Sequence, residues 1–280
     1  MIDSHVHLWK YKAANYPWIT GEMAALQHDH CIAELEDDLE FSGVDQVIAV
    51  QSRRSDRENH FLLEQARKSD GFIAGIVGWA PLDSDDLRVF LDQYLHEPML
   101  VGVRETFDSS SADELLDNPD FDHGVSELAR QDLALELMVS EQQLPMAMMF
   151  ADRHPNQRIA INHFASPSMD SGTPSDLWSH AVRELARRPH VYCKISGLSA
   201  RMDSVSRRST HSQVLKPYFE TLCKAFGPER LMFGSNWPVC NLTTTYPAWL
   251  NTVDDLILPL SEDEQQAIRQ ETAKVFYHIE

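Results

Sequence analysis

Cysteine is scarce in this chain. Its four copies (Cys31, Cys193, Cys223 and Cys240) lie far apart, with no CxxC pair. That spacing argues against a disulfide framework and reads as reduced thiols. Positive charge is also in short supply: 24 Lys and Arg stand against 43 Asp and Glu, a formal net charge of −19. Such a surface repels nucleic-acid phosphates and anionic membranes, so a small molecule is the expected partner. No apolar run approaches the roughly 20 residues of a membrane span. The N-terminus has neither the basic flank nor the apolar core of a signal peptide, and the expected location is cytoplasmic. Internal repeats, low-complexity tracts and interdomain linkers are absent as well. What is present is a 43% hydrophobic chain of 280 residues. That is enough for one large core, so a single domain over 1–280 is expected.

Short apolar runs recur with helical segments between them. Strands are predicted at Met1–His5, Gln46–Gln51, Phe72–Gly78, Met99–Arg104, Leu133–Val139, Arg158–Asn162, Val191–Ile195 and Arg230–Phe233. Runs this short and rich in Val and Ile suit strands buried on both faces. Amphipathic stretches at Asp56–Lys68, Asp83–His96, Phe121–Arg130, Glu141–Arg153, Asp176–Arg188 and Gln213–Phe226 alternate with them. Eight such units predict an α/β fold, a (β/α)8 barrel of the TIM type. Ser55-x-x-Glu58 and Ser261-x-x-Glu264 read as capping boxes, and Ser261–Tyr277 as a closing helix. The aromatic segment Trp9–Asp29 reads as a long loop over the mouth.

Active sites of such barrels lie at the C-terminal ends of the strands. The first strand ends in His5-Val6-His7, whose alternate rings share a face. Two imidazoles so placed suit Zn²⁺ or a similar ion, although HxH alone is more simply a pair of structural histidines. The second strand ends in Gln51, a hydrogen-bond partner for a hydroxyl or carbonyl. The fourth ends in Arg104, a planar fork for a carboxylate or polarised carbonyl, or else an ion-pair partner of Glu105 or another acid. The sixth brings His163. The seventh carries Lys194 and Ser196 on one face, and a Lys inside a barrel needs a partner, whether substrate or a buried acid. The eighth runs Gly234-Ser235-Asn236-Trp237-Pro238. Trp9, Trp18, Trp79 and Trp237 offer apolar faces for a ring, though each alone is as well explained by packing.

These segments together resemble the amidohydrolase superfamily, and within it the amidohydrolase-related lactonases. IDSHVHLW, NYPWI, VIAVQS, IAGIVGWAPL, VGVR, INHFASP, CKISGL and RLMFGSNWPV fall in family order. The YPW and GIVGW elements are most similar to lactonases acting on fucono-, rhamnono- or galactono-lactones. The resemblance implies a distorted (β/α)8 barrel that hydrolyses a sugar acid lactone. His5, His7 and His163 would line a metal or carbonyl site, Arg104, Gln51, Lys194, Trp18 and Trp79 would contact substrate, and an eighth-strand Asp would be the general base. Some members of this branch bind one divalent ion, Zn²⁺ being the first candidate, and others work without one. Such barrels often form oligomers, but no stripe here marks an interface.

The chain departs from that pattern at Asn236, where the family has Asp. An amide accepts no proton near neutral pH and is a neutral, weaker metal ligand. Three accounts stand side by side. The first is a deliberate Asp→Asn exchange that preserves shape. The second is a natural variant using Glu105, Glu136 or a histidine as base. The third is a natural protein that only binds. The isosteric exchange within an otherwise complete motif set favours a lactonase scaffold whose carboxylate has been replaced. Two further readings compete: a metal-dependent decarboxylase of the same superfamily, and a sugar-acid binding protein without turnover.

Overall fold

The computed structural model describes residues 1–40, 42–107, 118–169, 172–201 and 211–280. Eight parallel strands pair in chain order: β1 (Ile2–Val6), β2 (Gln46–Val50), β3 (Ile73–Gly78), β4 (Leu100–Thr106), β5 (Ala134–Met138), β6 (Ile159–Ile161), β7 (Val191–Ile195) and β8 (Leu231–Phe233). All eight predicted strands are therefore present, with every end within two residues of its predicted place. The ring closes where the segment after β8 pairs with β1. Asn236 N–H donates to the His5 carbonyl (2.8 Å) and His7 N–H to the Trp237 carbonyl (2.7 Å). The closure thus passes through the two motifs that carry the candidate chemistry.

Two apolar layers flank the strands. The outer layer joins strand residues such as Val47, Ala49, Ile76 and Val103 to the surrounding helices. The inner one gathers Ile2, Ile48, Val50, Val77, Ala134, Ala160 and Met232 with Ala273, Phe276 and Tyr277 from the C-terminal tail. Large apolar side chains fill such a lumen as a packed core. The closing helix is expected over 261–277. It comprises Glu262–Gln266 and Thr272–Tyr277, joined by a π turn at Ala267–Glu271. Its Ser261–Glu264 capping box forms as read from sequence.

The other predicted box does not form. Helix Asp56–Lys68 keeps its predicted bounds, but the Ser55 side chain makes no cap bond. Glu58 turns instead to the 52–53 backbone and the Ser52 hydroxyl, and Arg53 Nε reaches its second oxygen at 2.7 Å. Charge-assisted bonds outcompete the cap. The helix expected over 83–96 shrinks to Leu87–Asp92. Ser84 accepts from Asp86 N–H (3.2 Å) and its N–H is taken by the Pro81 carbonyl, so Ser and Asp here favour turns. Two helices escaped the sequence reading, Ile32–Leu39 and Tyr246–Ile257. The 9–29 segment is a loop with its own core of Trp9, Tyr16, Ile19 and Leu26. Among the described residues no helix is long and apolar enough to cross a membrane.

Candidate active site

The HxH pair sits buried at the end of β1, with the two Nε2 atoms 3.2 Å apart. A backbone carbonyl can only accept, so the contact of His7 Nδ1 with the Val50 carbonyl (2.7 Å) makes Nδ1 the protonated nitrogen. His7 Nε2 then carries the lone pair. Burial and the Arg104 charge hold its pKa down, at about 3. His5 is lowered too, by burial first and then by Lys194. Both rings are therefore neutral at ordinary pH.

Lys194 explains part of that field. It lies fully buried on β7, and its Nζ reaches the Ser4 carbonyl (2.6 Å), Glu136 Oε1 (2.6 Å) and His5 Nδ1 (3.2 Å). Those three contacts occupy an ammonium's three donors. The buried ion pair with Glu136, one of the two sequence readings, is formed. Burial lowers the Lys194 pKa to about 8, against the pull of Glu136. Tyr277 from the closing helix donates to the same carboxylate oxygen of Glu136. The network ties the floor of the barrel to the HxH pair.

Arg104 is buried at the end of β4. The alternative reading of Arg104, a pairing with Glu105, does not form, because Glu105 turns to Arg54. Arg104 Nη2 donates to the Gln51 carbonyl, while Gln51 Nε2 donates to the Arg104 carbonyl (3.1 Å). The two strand ends lock one another, and Arg104 Nε is left buried without a hydrogen-bond partner. Such a donor is costly unless a ligand meets it.

His163 follows β6 at the start of an uncommon turn. Residues 163–166 all have φ between +48° and +58°. Each non-glycine residue in that region costs about 1–2 kcal/mol. Surrounding packing holds it: Phe164 and Ala165 are buried, and Trp178 Nε1 donates to the Phe164 carbonyl (3.0 Å). The turn carries the His163 ring to 4.8 Å from His5, centroid to centroid, with Nδ1 2.9 Å from Ser196 Oγ. Gly197 makes room for it, since a Cβ there would lie 2.3 Å from His163 Nδ1.

Asn236 closes the constellation. It is buried, has φ +62°, and its side chain hydrogen-bonds His7. The fold thus brings together His5, His7, His163, Arg104, Gln51, Lys194 and Asn236. The tryptophans fare differently. Trp9 and Trp237 are fully buried packing residues, Trp237 donating to Asp38 (2.7 Å). Trp18 stands edge-on to Trp9 at 5.7 Å. Trp79 is half-buried against Phe90 and lines a cavity of about 120 Å³ with Arg54 and Glu105.

Two residues went unremarked in the sequence. Asn162 is fully buried with both amide atoms unpartnered, directly before His163. Its alternation with Ala160, a lumen residue, was the available signal. Asp3 accepts from His5 N–H (3.0 Å), Ser235 N–H (2.9 Å) and Tyr246 OH (2.9 Å), so it pins the two motif strands together.

The histidines fit a divalent ion in geometry better than in charge. The paired Nε2 atoms converge, but Lys194 donates to His5 Nδ1, which puts the His5 proton on Nε2. Asn236 adds a neutral oxygen. A dication would meet the buried Lys194 and Arg104 charges, with Glu136 already engaged. Charge of one sign gathered in a low dielectric is strongly unfavourable, so this donor set does not suit one.

The chain matches the family described as Amidohydrolase over residues 2–279. An L-fucono-1,5-lactonase of Burkholderia ambifaria is 33% identical over 254 residues, 89% of this chain and 85% of that protein. An L-fucono-1,5-lactonase of Burkholderia multivorans is 34% identical over 250 residues, 88% and 84% of the two. The crystal structure of an amidohydrolase from Burkholderia multivorans with bound Zn has a TM-score of 0.93 at 35% identity, covering 100% of this chain and 99% of that one. A match spanning nearly every residue, on an eight-stranded parallel barrel, makes this chain a member of the amidohydrolase family.

Proposed function

We propose that this protein takes a sugar acid lactone at the mouth of its barrel and opens the ring with water, through one domain spanning 1–280. The observation that carries the reading is the convergence of His5, His7, His163, Arg104 and Asn236 in a chain aligned almost end to end with L-fucono-1,5-lactonases. Arg104 offers an unpaired buried Nε–H, and Asn162 an unpaired amide, to the oxygens of the lactone. Water adds to the ring carbonyl, and the negative charge that develops on its oxygen lies in the field of two buried cations, Arg104 and Lys194. The ring C–O bond then breaks, the proton lost by the attacking water passes to the leaving alkoxide, and the open hydroxy acid leaves.

The proton of the attacking water has no carboxylate at position 236 to receive it. Glu136 is paired with Lys194 and bonded by Tyr277 through Oε1, its Oε2 having no hydrogen-bond partner, and Glu105 is paired with Arg54. The scaffold therefore binds its lactone and turns it over slowly. Metal supplies no step in this reading, because the donor set as it stands is poorly matched to a dication. The test is a panel of sugar 1,5- and 1,4-lactones followed by acid release, with and without a chelator. Carbon dioxide release from aromatic acids is followed in parallel. Lactone opening that survives chelation supports the reading. Carbon dioxide release, or ligand affinity with no lactone opening even in Asn236→Asp, overturns it.

A further inference from the structure

A second imidazole pair lies outside the barrel mouth, in the sequence His28-Asp29-His30. His30 ends the 9–29 loop, pairs with Trp9 and leads into the helix Ile32–Leu39. One turn on, Glu34 returns beneath it, and His30 Nδ1 stands 3.0 Å from Glu34 Oε2. The His28 and His30 rings lie against one another at an interplanar angle of 42°, with centroids 4.0 Å apart. One ligand atom from each of His28, His30 and Glu34 lies within 4.8 Å of the others.

The protonation pattern prepares this trio for a cation. His28 Nδ1 contacts the Asp29 carbonyl at 3.0 Å, so its proton sits there and Nε2 keeps its lone pair. His30 is 3% exposed, and its Nε2 is buried with no hydrogen-bond partner. An orphaned nitrogen in a buried ring costs free energy that binding can recover. Burial also holds His30 in the neutral form a ligand needs, with a pKa lowered to about 4. Asp29 and Asp38 add negative charge nearby, seen in their effects on His30 and Glu34.

We propose that His28, His30 and Glu34 form a peripheral site for one divalent ion that favours imidazole and carboxylate, Zn²⁺ foremost. Two imidazoles and a carboxylate supply three ligands of a tetrahedral site, and water supplies the fourth. The ion would fasten the 9–29 loop to the helix that follows it. The His30 ring also stands edge-on to Trp237 at 5.3 Å, so the clamp backs the residue next to Asn236.

The test uses the full chain in a His7→Asn background, which removes the mouth pair as a competing site. Zn²⁺ is titrated against a chromophoric chelator, and Co²⁺ is added separately for its tetrahedral absorption band. The expected result is one equivalent bound, with affinity falling tenfold or more in both His28→Ala and Glu34→Gln. Both variants lie at exposed or half-exposed positions and leave the core intact. Equal affinity in all three proteins, or no binding at micromolar Zn²⁺ in the His7→Asn chain, overturns the proposal.

Discussion

Asn236→Asp exchanges an amide for a carboxylate of the same shape, so nearly all of its effect is electrostatic. The position is 5% exposed and hydrogen-bonded to His7. Buried Arg104 and Lys194 lie close enough to depress both imidazoles, so they would hold a new carboxylate ionised. At about 4 Å and an effective dielectric near 20, an opposite charge favours a protonated His7 by about 4 kcal/mol. One pKa unit is 1.36 kcal/mol, so His7 should rise by about three units from its present value of about 3. The exchange thus creates a base and moves a neighbouring imidazole into the working pH range. A positioned acid–base group contributes about 10²–10⁴ in rate.

The expected gain is of that size in kcat, with KM little changed, because the amide and the carboxylate hold the lactone similarly. Initial rates of acid release over pH 5–9 measure it, and the His7 ring-proton shift followed by NMR measures the titration separately. A rate within threefold of the parent, with His7 demonstrably shifted, would refute position 236 as the base. An unshifted His7 would refute the electrostatic picture of the site itself.

Gly197→Ala should lower lactone opening at least tenfold, since its Cβ falls 2.3 Å from His163 Nδ1, and should cost about 1–2 kcal/mol of unfolding free energy, measured in urea, for the backbone at φ +73°. Lys194→Met leaves Glu136 buried without its cation and should destabilise by about 3–5 kcal/mol, while Lys194→Met with Glu136→Leu recovers much of the loss. The fold should weaken in acid: unfolded His7 takes a proton below about 6.5, whereas folded His7 stays neutral until about 3. Stability present above 6.5 is therefore lost as pH falls through that window, at up to about 1.4 kcal/mol per unit for that ring. His7→Asn should flatten the slope of urea stability against pH by about one proton.

The barrel was legible because strands buried on both faces leave continuous apolar runs, and eight of them alternate with helical stretches. The residues at strand ends were legible for the same reason, since the fold fixes where a strand end points. Partners were harder to read. Glu58 sits three residues after Ser55, yet its charge goes to Arg53 and the 52–53 backbone. Arg104 precedes Glu105, but neighbours along a strand face opposite ways, and Glu105 finds Arg54. The left-handed turn at 163–166 has no glycine to announce it. Only the packing of Phe164 and Ala165 makes it affordable, and that information is spread over distant helices.

The backbone at position 236 does not choose between amide and acid. Its φ of +62° lies in the left-handed region, where Asn and Asp are both tolerated, and its N–H and carbonyl bind His5 and Cys240 whatever the side chain. Two buried cations nearby, Arg104 and Lys194, share the fully buried carboxylate of Glu136, while the buried acids Glu58 and Glu105, which also act on Arg104, are paired with Arg53 and Arg54. Asp3, also buried, is saturated by two backbone amides and a phenol. The mouth therefore carries an excess of positive charge that a carboxylate at 236 would neutralise in the resting state. With Asn there, the same excess remains free to hold an anion: the developing oxyanion, or the carboxylate of the opened acid. On this account the exchange slows proton transfer and tightens product binding together. The hydroxy acid should bind this chain more tightly than Asn236→Asp, and equal product affinity in the two proteins, measured by calorimetry, would remove the charge argument.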